Sequence, residues 1–157
     1  VIAADRKNTL LDVPSISLAG GYEYTIIDTP GRLADITAAA ITISDLCLIP
    51  ICPSPYDLWA TFDIVELLQT RHQLTNGRPE AAYVINRAVP ATKISKSVKE
   101  YLETCAFPVI GEPIVQRVTY AESARLGMTI YDTHNDSAIK EMSLLGDAVV
   151  NMLGEVK

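Results

Sequence analysis

YTIIDTPGRLADITAAAITISDLCLIPICPSPYDLWA, residues 24–60, is the stretch whose reading decides the architecture. Tyr24 to Asp28 is a short, continuous apolar run ending in an acid, and Thr29-Pro30-Gly31 turns the chain immediately after it. Continuous runs of this length are expected of strands covered on both faces. Asp35 to Ser44 is rich in alanine and isoleucine and reads as a helix, and Leu46 to Ile51 is a second apolar strand. In Ser54-Pro55-Tyr56-Asp57 the serine can cap the first free amides, proline suits the first helical position, and the aspartate completes a capping box.

Working outward, Val1 to Ala4, Ala82 to Asn86 and Phe107 to Ile110 repeat the strand pattern. Leu58, Phe62, Val65 and Leu68 or Gln69 follow one another at spacings of three and four, which predicts a helix with one apolar face ending near Asn76-Gly77. Ile94, Val98, Leu102 and Cys105 predict another helix, and Ile139, Met142, Leu145, Val149 and Met152 a last one. Thr119 and Glu122 have the spacing of a second capping box, with Gly127 available to end that helix. Strands alternating with helices predict an α/β three-layer sandwich with a mostly parallel sheet, read as one domain over residues 1–157.

The totals narrow the classes. At 157 residues, with 48% apolar and 20% charged side chains, the chain can bury a core and is not composed like a disordered one. No window approaches twenty consecutive apolar residues, and no basic segment leads into an apolar one, so neither a spanning helix nor a signal peptide is expected. Cys47, Cys52 and Cys105 lie in apolar surroundings without metal-ligand spacing and read as free thiols in a reducing compartment. His72 and His134 lie far apart among polar residues and suggest no metal site. A net charge of −6 requires that any DNA contact use a local basic patch.

In α/β sheets ligands bind beyond the carboxyl ends of strands. An acid delivered there, as Asp28 is, can hold Mg²⁺ directly or through water, while amides near Gly31 can meet a terminal phosphate. The competing reading makes Asp28 a helix cap and Pro30-Gly31 a simple turn.

The extended run 24–60 resembles the ParA/MinD group of ATPases and, within it, the plasmid-partition ParA/ParF branch. There an apolar strand ending in DTPG, a helix, a strand ending in IP and a PSPxDxW segment follow at this spacing. The resemblance continues through Val84-Ile85-Asn86-Arg87 and through VIGEPIVQRVTYAESARLGMTIYD, residues 109–132. It implies a P-loop NTPase-like fold and a partition ATPase that dimerises with itself on Mg²⁺ and ATP. It also implies binding to DNA without sequence preference and a response to a ParB-like or ParG-like centromere-binding adaptor. The location implied is the bacterial cytoplasm, on the nucleoid and without membrane attachment.

By residue, the resemblance makes Asp28 the Walker B catalytic and metal-orienting acid and Thr29, Pro30 and Gly31 a switch around the terminal phosphate. It places Asn86 at the adenine edge, with Pro113 and Ile114 flanking the base, although Asn86 could equally terminate a strand. Lys93, Lys96 and Lys99 lie one turn apart and form a ridge that either holds DNA or is a solvated helix face. Pro53 to Pro55 would lie near the dimer interface, and Tyr56 and Trp59 are expected to pack on the core.

The resemblance stops short at one place. The family's KGGxGKT loop, which would cradle the β- and γ-phosphates, is not among these residues, so the fold is expected to be incomplete at its N-terminus. This chain alone is not expected to hydrolyse ATP. The alternative is a non-catalytic ParA-like interaction or regulatory module.

Overall fold

The structure is a computed structural model that describes residues 7–30 and 35–155. The strand expected at Val1 to Ala4 lies outside the described residues.

Two strands, β1 (Leu46–Ile51) and β2 (Glu80–Ile85), pair in parallel, with Leu46 opposite Glu80 and Ile51 opposite Ile85. Parallel bridges join Tyr83 to Val109 and Ala88 to Val115, so residues 107–116 run along the far edge of β2. Pro108 accepts from the Tyr83 amide at 2.8 Å, and the Ile114 amide donates to Ile85 at 2.9 Å. The strand expected at 107–110 is therefore reduced to a bridge that resumes at 114–116. On β2 both alternating sets of side chains are buried: Ala81, Tyr83 and Ile85 on one face, Ala82 and Val84 on the other. Burial on both faces is what the unbroken apolar sequence requires.

The helices are α1 (Lys7–Leu11), α2 (Val13–Ala19), α3 (Asp35–Ile43), α4 (Pro55–Ala60), α5 (Phe62–Leu74), α6 (Lys93–Leu102), α7 (Val118–Arg125) and α8 (Asp136–Glu155). A 3-10 turn at Ile130–Asp132 precedes α8. The main core joins Ile49 and Ile51 of β1 and Tyr83 and Ile85 of β2 to Leu68 of α5 and Val98 and Leu102 of α6. A smaller cluster packs Leu10 of α1 on Ala39 and Ala40 of α3.

Three expectations are corrected. First, residues 24–28 form no strand: Ile26 is 95% exposed, and among the described residues the segment has no strand partner. A strand is held by a neighbour's ladder, and here only Ile27 finds cover, beside α1 and α3. Second, the helix expected from residue 55 to Gly77 is broken. The Thr61 hydroxyl and amide both donate to the Leu58 carbonyl, at 2.8 and 3.1 Å, closing α4 and reorienting the chain into α5. Tyr56 and Trp59 consequently point outward, 76% and 59% exposed, stacked edge to face on each other rather than on the core. Third, Thr119 caps nothing. Helix α7 starts at Val118 with Arg117 in the cap position, two residues earlier, and the Thr119 hydroxyl accepts from Asn135 at 3.1 Å instead.

The Ser54 cap and the Gly127 ending agree with the structure, but Asp57 completes no capping box: the Ser54 amide donates to the Cys52 carbonyl at 2.7 Å instead. Ser54 accepts from the Tyr56 amide at 3.2 Å, with Pro55 in the first turn of α4. Gly127 follows α7 with φ +68°, the left-handed conformation glycine adopts most readily.

Candidate functional site

The carboxyl ends of the parallel strands converge on residues 86–92 and 112–117. The Asn86 amide donates to the Ile51 carbonyl at 2.8 Å and extends the ladder past β2. Its side-chain oxygen accepts from the Arg87 amide at 2.9 Å, where Arg87 takes φ +53°. The side chain thus braces a tight turn with one oxygen, leaving its NH₂ group available. Pro113 is brought close by its neighbour: Ile114 hydrogen-bonds Ile85 on one side and accepts from Ala88 at 2.9 Å on the other. Asn86 and residues 113–114 therefore lie beside the same strand end.

Asp28, Thr29 and Pro30 lie on the irregular segment before α3, with Asp28 exposed. Among the described residues Asp28 makes no side-chain hydrogen bond or ion pair and caps no helix. The Pro30 carbonyl accepts from the buried Thr37 hydroxyl at 3.5 Å, tying the segment to α3. Gly31 lies outside the described residues. No group of three or more acids, histidines or cysteines is gathered as a metal site among the described residues. What is present is one uncommitted carboxylate, which suits an ion held mainly by phosphates and water.

The lysine ridge is real in geometry. Thr92 caps α6, accepting from the Ser95 amide at 3.4 Å, and Lys93, Lys96 and Lys99 follow on the side away from buried Val98 and Leu102. Lys96 meets Glu100 at 3.7 Å, a well-exposed pair that contributes little.

Sequence reading missed the pair that supports this strand end. Glu141 of α8 accepts from Arg117 at 2.5 Å and from the Val115 amide at 3.1 Å. Among the described residues Arg117 Nε is buried without a hydrogen-bond partner, so its guanidinium depends on that one carboxylate. Residues this far apart carry no periodic signal that could have joined them.

The described residues contain no helix long and apolar enough to cross a membrane. The fold, with its parallel strands, is that of the solved structure of apo McdA from Cyanthece: TM-score 0.73 at 18% identity, over 91% of this chain and 59% of that one. The chain belongs to the VirC1 protein family, whose model matches residues 3–157, and is ParA-like. It is 26% identical over 132 residues to maintenance of carboxysome distribution protein A of Halothiobacillus neapolitanus, covering 82% of this chain and 61% of that protein. Protein virC1 of Rhizobium rhizogenes is 24% identical over 148 residues, 89% of this chain and 62% of that protein. A ParA family protein, MG470 of Mycoplasma genitalium, is 36% identical over 67 residues, 41% of this chain and 25% of that protein. This chain thus spans about three-fifths of the length of the first of these relatives.

Proposed function

We propose that this chain is the C-terminal part of a ParA-like, Mg²⁺-dependent ATPase that segregates DNA. On this reading the complete protein dimerises on ATP, holds DNA without sequence preference and is triggered by a centromere-bound adaptor of the ParB or ParG kind. The observation that carries the reading is the position of Asn86 between Ile85 and Ala88, both hydrogen-bonded to Ile114, beyond parallel strand ends, where α/β folds bind their ligands.

Each residue then has a task. Asn86 and Pro113 would hold the base edge, and Asp28 would hold the magnesium ion directly or through water. Thr29, Pro30 and Gly31 would answer to the terminal phosphate, which would make this segment the switch. Bound Mg²⁺ supplies charge stabilisation to the transferring phosphoryl group. Lys93, Lys96 and Lys99 contact the DNA backbone. The exposed Asp28 segment suits a part that orders when nucleotide arrives.

The relative named for carboxysome distribution supports a positioning role for such a protein while pointing to a different cargo. ATP turnover by the complete gene product, assayed with and without Mg²⁺, tests the proposal. Magnesium-dependent hydrolysis is expected, and a complete protein that neither binds nor turns over ATP would leave the non-catalytic module in its place.

A further inference from the structure

Between the N-terminal parts of α6 and α8 the surface opens into a groove of about 760 Å³. Its apolar lining includes Val89, Val115 and Leu144, of which Val89 is 49% and Leu144 38% exposed. Four lysines share that lining: Lys93, Lys96, Lys99 and Lys140.

The acids nearby do not neutralise them. Glu141 is already committed to Arg117 and to the Val115 amide. Glu100 reaches only Lys96, in an exposed contact that a competing anion can displace. Among the described residues Lys93, Lys99 and Lys140 have no ion pair, and Glu112 is the remaining carboxylate in the lining. On a chain of net charge −6 this is a concentrated positive surface, and it shares one groove with apolar side chains.

That combination selects the occupant. A nucleic-acid backbone satisfies lysines but has nothing to seat on Val89 and Leu144. A neutral apolar ligand would fill the floor and leave the lysines unused. An acidic amphipathic segment meets both, with an apolar side chain as anchor in the groove and carboxylates on the ammonium groups.

We propose that this groove binds an acidic amphipathic segment of a partner protein. The anchor on Leu144 and Val89 supplies most of the affinity, and the four lysines supply orientation and a fast, salt-sensitive association. The groove adjoins the candidate nucleotide site and shares Pro113 with it, so a bound nucleotide and the segment meet at that residue. If the same lysines also hold DNA, segment and DNA exclude one another there.

The test uses the complete gene product and a displayed library of random peptides, selected at physiological salt. The strongest sequence is then made as a fluorescent peptide and titrated by anisotropy against Leu144→Ser, Val89→Ser and Lys140→Glu variants, with duplex DNA titrated in parallel. Selected sequences should combine Asp or Glu with Leu, Ile or Phe. Each substitution should weaken peptide binding by about tenfold or more, equivalent to about 1.4 kcal/mol. The uncharged Leu144→Ser and Val89→Ser should leave DNA binding within about twofold on the same scale. Both sites are solvent-accessible, and unchanged circular dichroism with either variant separates a weakened groove from a disrupted fold. Enrichment of basic or compositionally random sequences would overturn the proposal. So would peptide binding that survives both apolar-to-serine substitutions and depends on lysine alone, which would mark a patch for polyanions such as DNA.

Discussion

Arg117 and Glu141, twenty-four positions apart, meet at 2.5 Å, and the same carboxylate takes the Val115 amide at 3.1 Å. One side chain of α8 thereby fixes the segment that runs beside the carboxyl end of β2. Both side chains are largely shielded from solvent, so the interaction is screened less than a surface pair. Glu141→Ala should lower stability by about 2 kcal/mol, in the range of charged hydrogen bonds, because it strands a shielded guanidinium. Urea unfolding of Glu141→Ala, Arg117→Met and the double variant checks this. The double variant should cost less than the sum of the two, and additive costs would show that the groups do not act together.

Gly111 and Gly127 separate backbone strain from steric fit. Both have positive φ, +67° and +68°. A Cβ on Gly111 would lie 3.2 Å from the Leu145 Cα, whereas a Cβ on Gly127 meets nothing within 4 Å. Each alanine substitution should cost about 1 kcal/mol in strain, and Gly111→Ala more, because the backbone of α8 must move. Equal melting-temperature losses for the two would contradict the packing of α8 against residue 111.

Stability in alkaline solution should follow two buried groups. Burial pushes the Cys47 thiol up to about 11 from 9.0, and burial with nearby Cys105 and Tyr101 pushes the Tyr83 phenol up to about 12 from 10.0. Ionisation is then easier in the unfolded chain, so the unfolded state loses protons first as pH rises. The stabilisation is full below about pH 9 and declines from there to about pH 11 for Cys47 and from about 10 to about 12 for Tyr83. Denaturant midpoints measured across that interval should fall, and Cys47→Ala should flatten the earlier part of the decline. An unchanged slope in that variant would assign the loss elsewhere.

Much of this architecture is legible in local sequence because local chemistry decides it. The apolar run at Leu46 to Ile51 becomes β1, Ser54-Pro55 starts α4, and Asp35 begins α3 where alanine and isoleucine predict it. The failures are tertiary. Residues 24–28 have strand composition, yet a strand is a relation between neighbours, and they have no partner among the described residues. The spacing of Leu58 and Phe62 continues one apolar face, but Thr61 diverts the backbone between them and leaves Phe62 51% exposed. Within the candidate site, Asn86 and Pro113 stand at the strand end their positions imply. The Arg117–Glu141 brace and the groove with Lys140 come from packing α8 against distant residues, which no spacing rule encodes.

The lysine ridge gives a separable prediction about DNA. Charge reversal at Lys96 and Lys99 in the complete protein should weaken retention on duplex DNA. It should also reduce the steepness of its salt dependence by about one unit for each phosphate that the ridge no longer neutralises. Filter binding over a range of salt concentrations reads both quantities. Retention and slope equal to those of the unsubstituted protein would make the ridge a solvated helix face.

The carboxylate at position 28 is the most direct point of attack on the functional account. Asp28→Asn in the complete gene product should retain nucleotide binding while Mg²⁺-dependent ATP turnover falls by on the order of a hundredfold or more. Turnover at the unsubstituted rate, with nucleotide affinity also unchanged, would contradict the assignment of that residue to the magnesium ion.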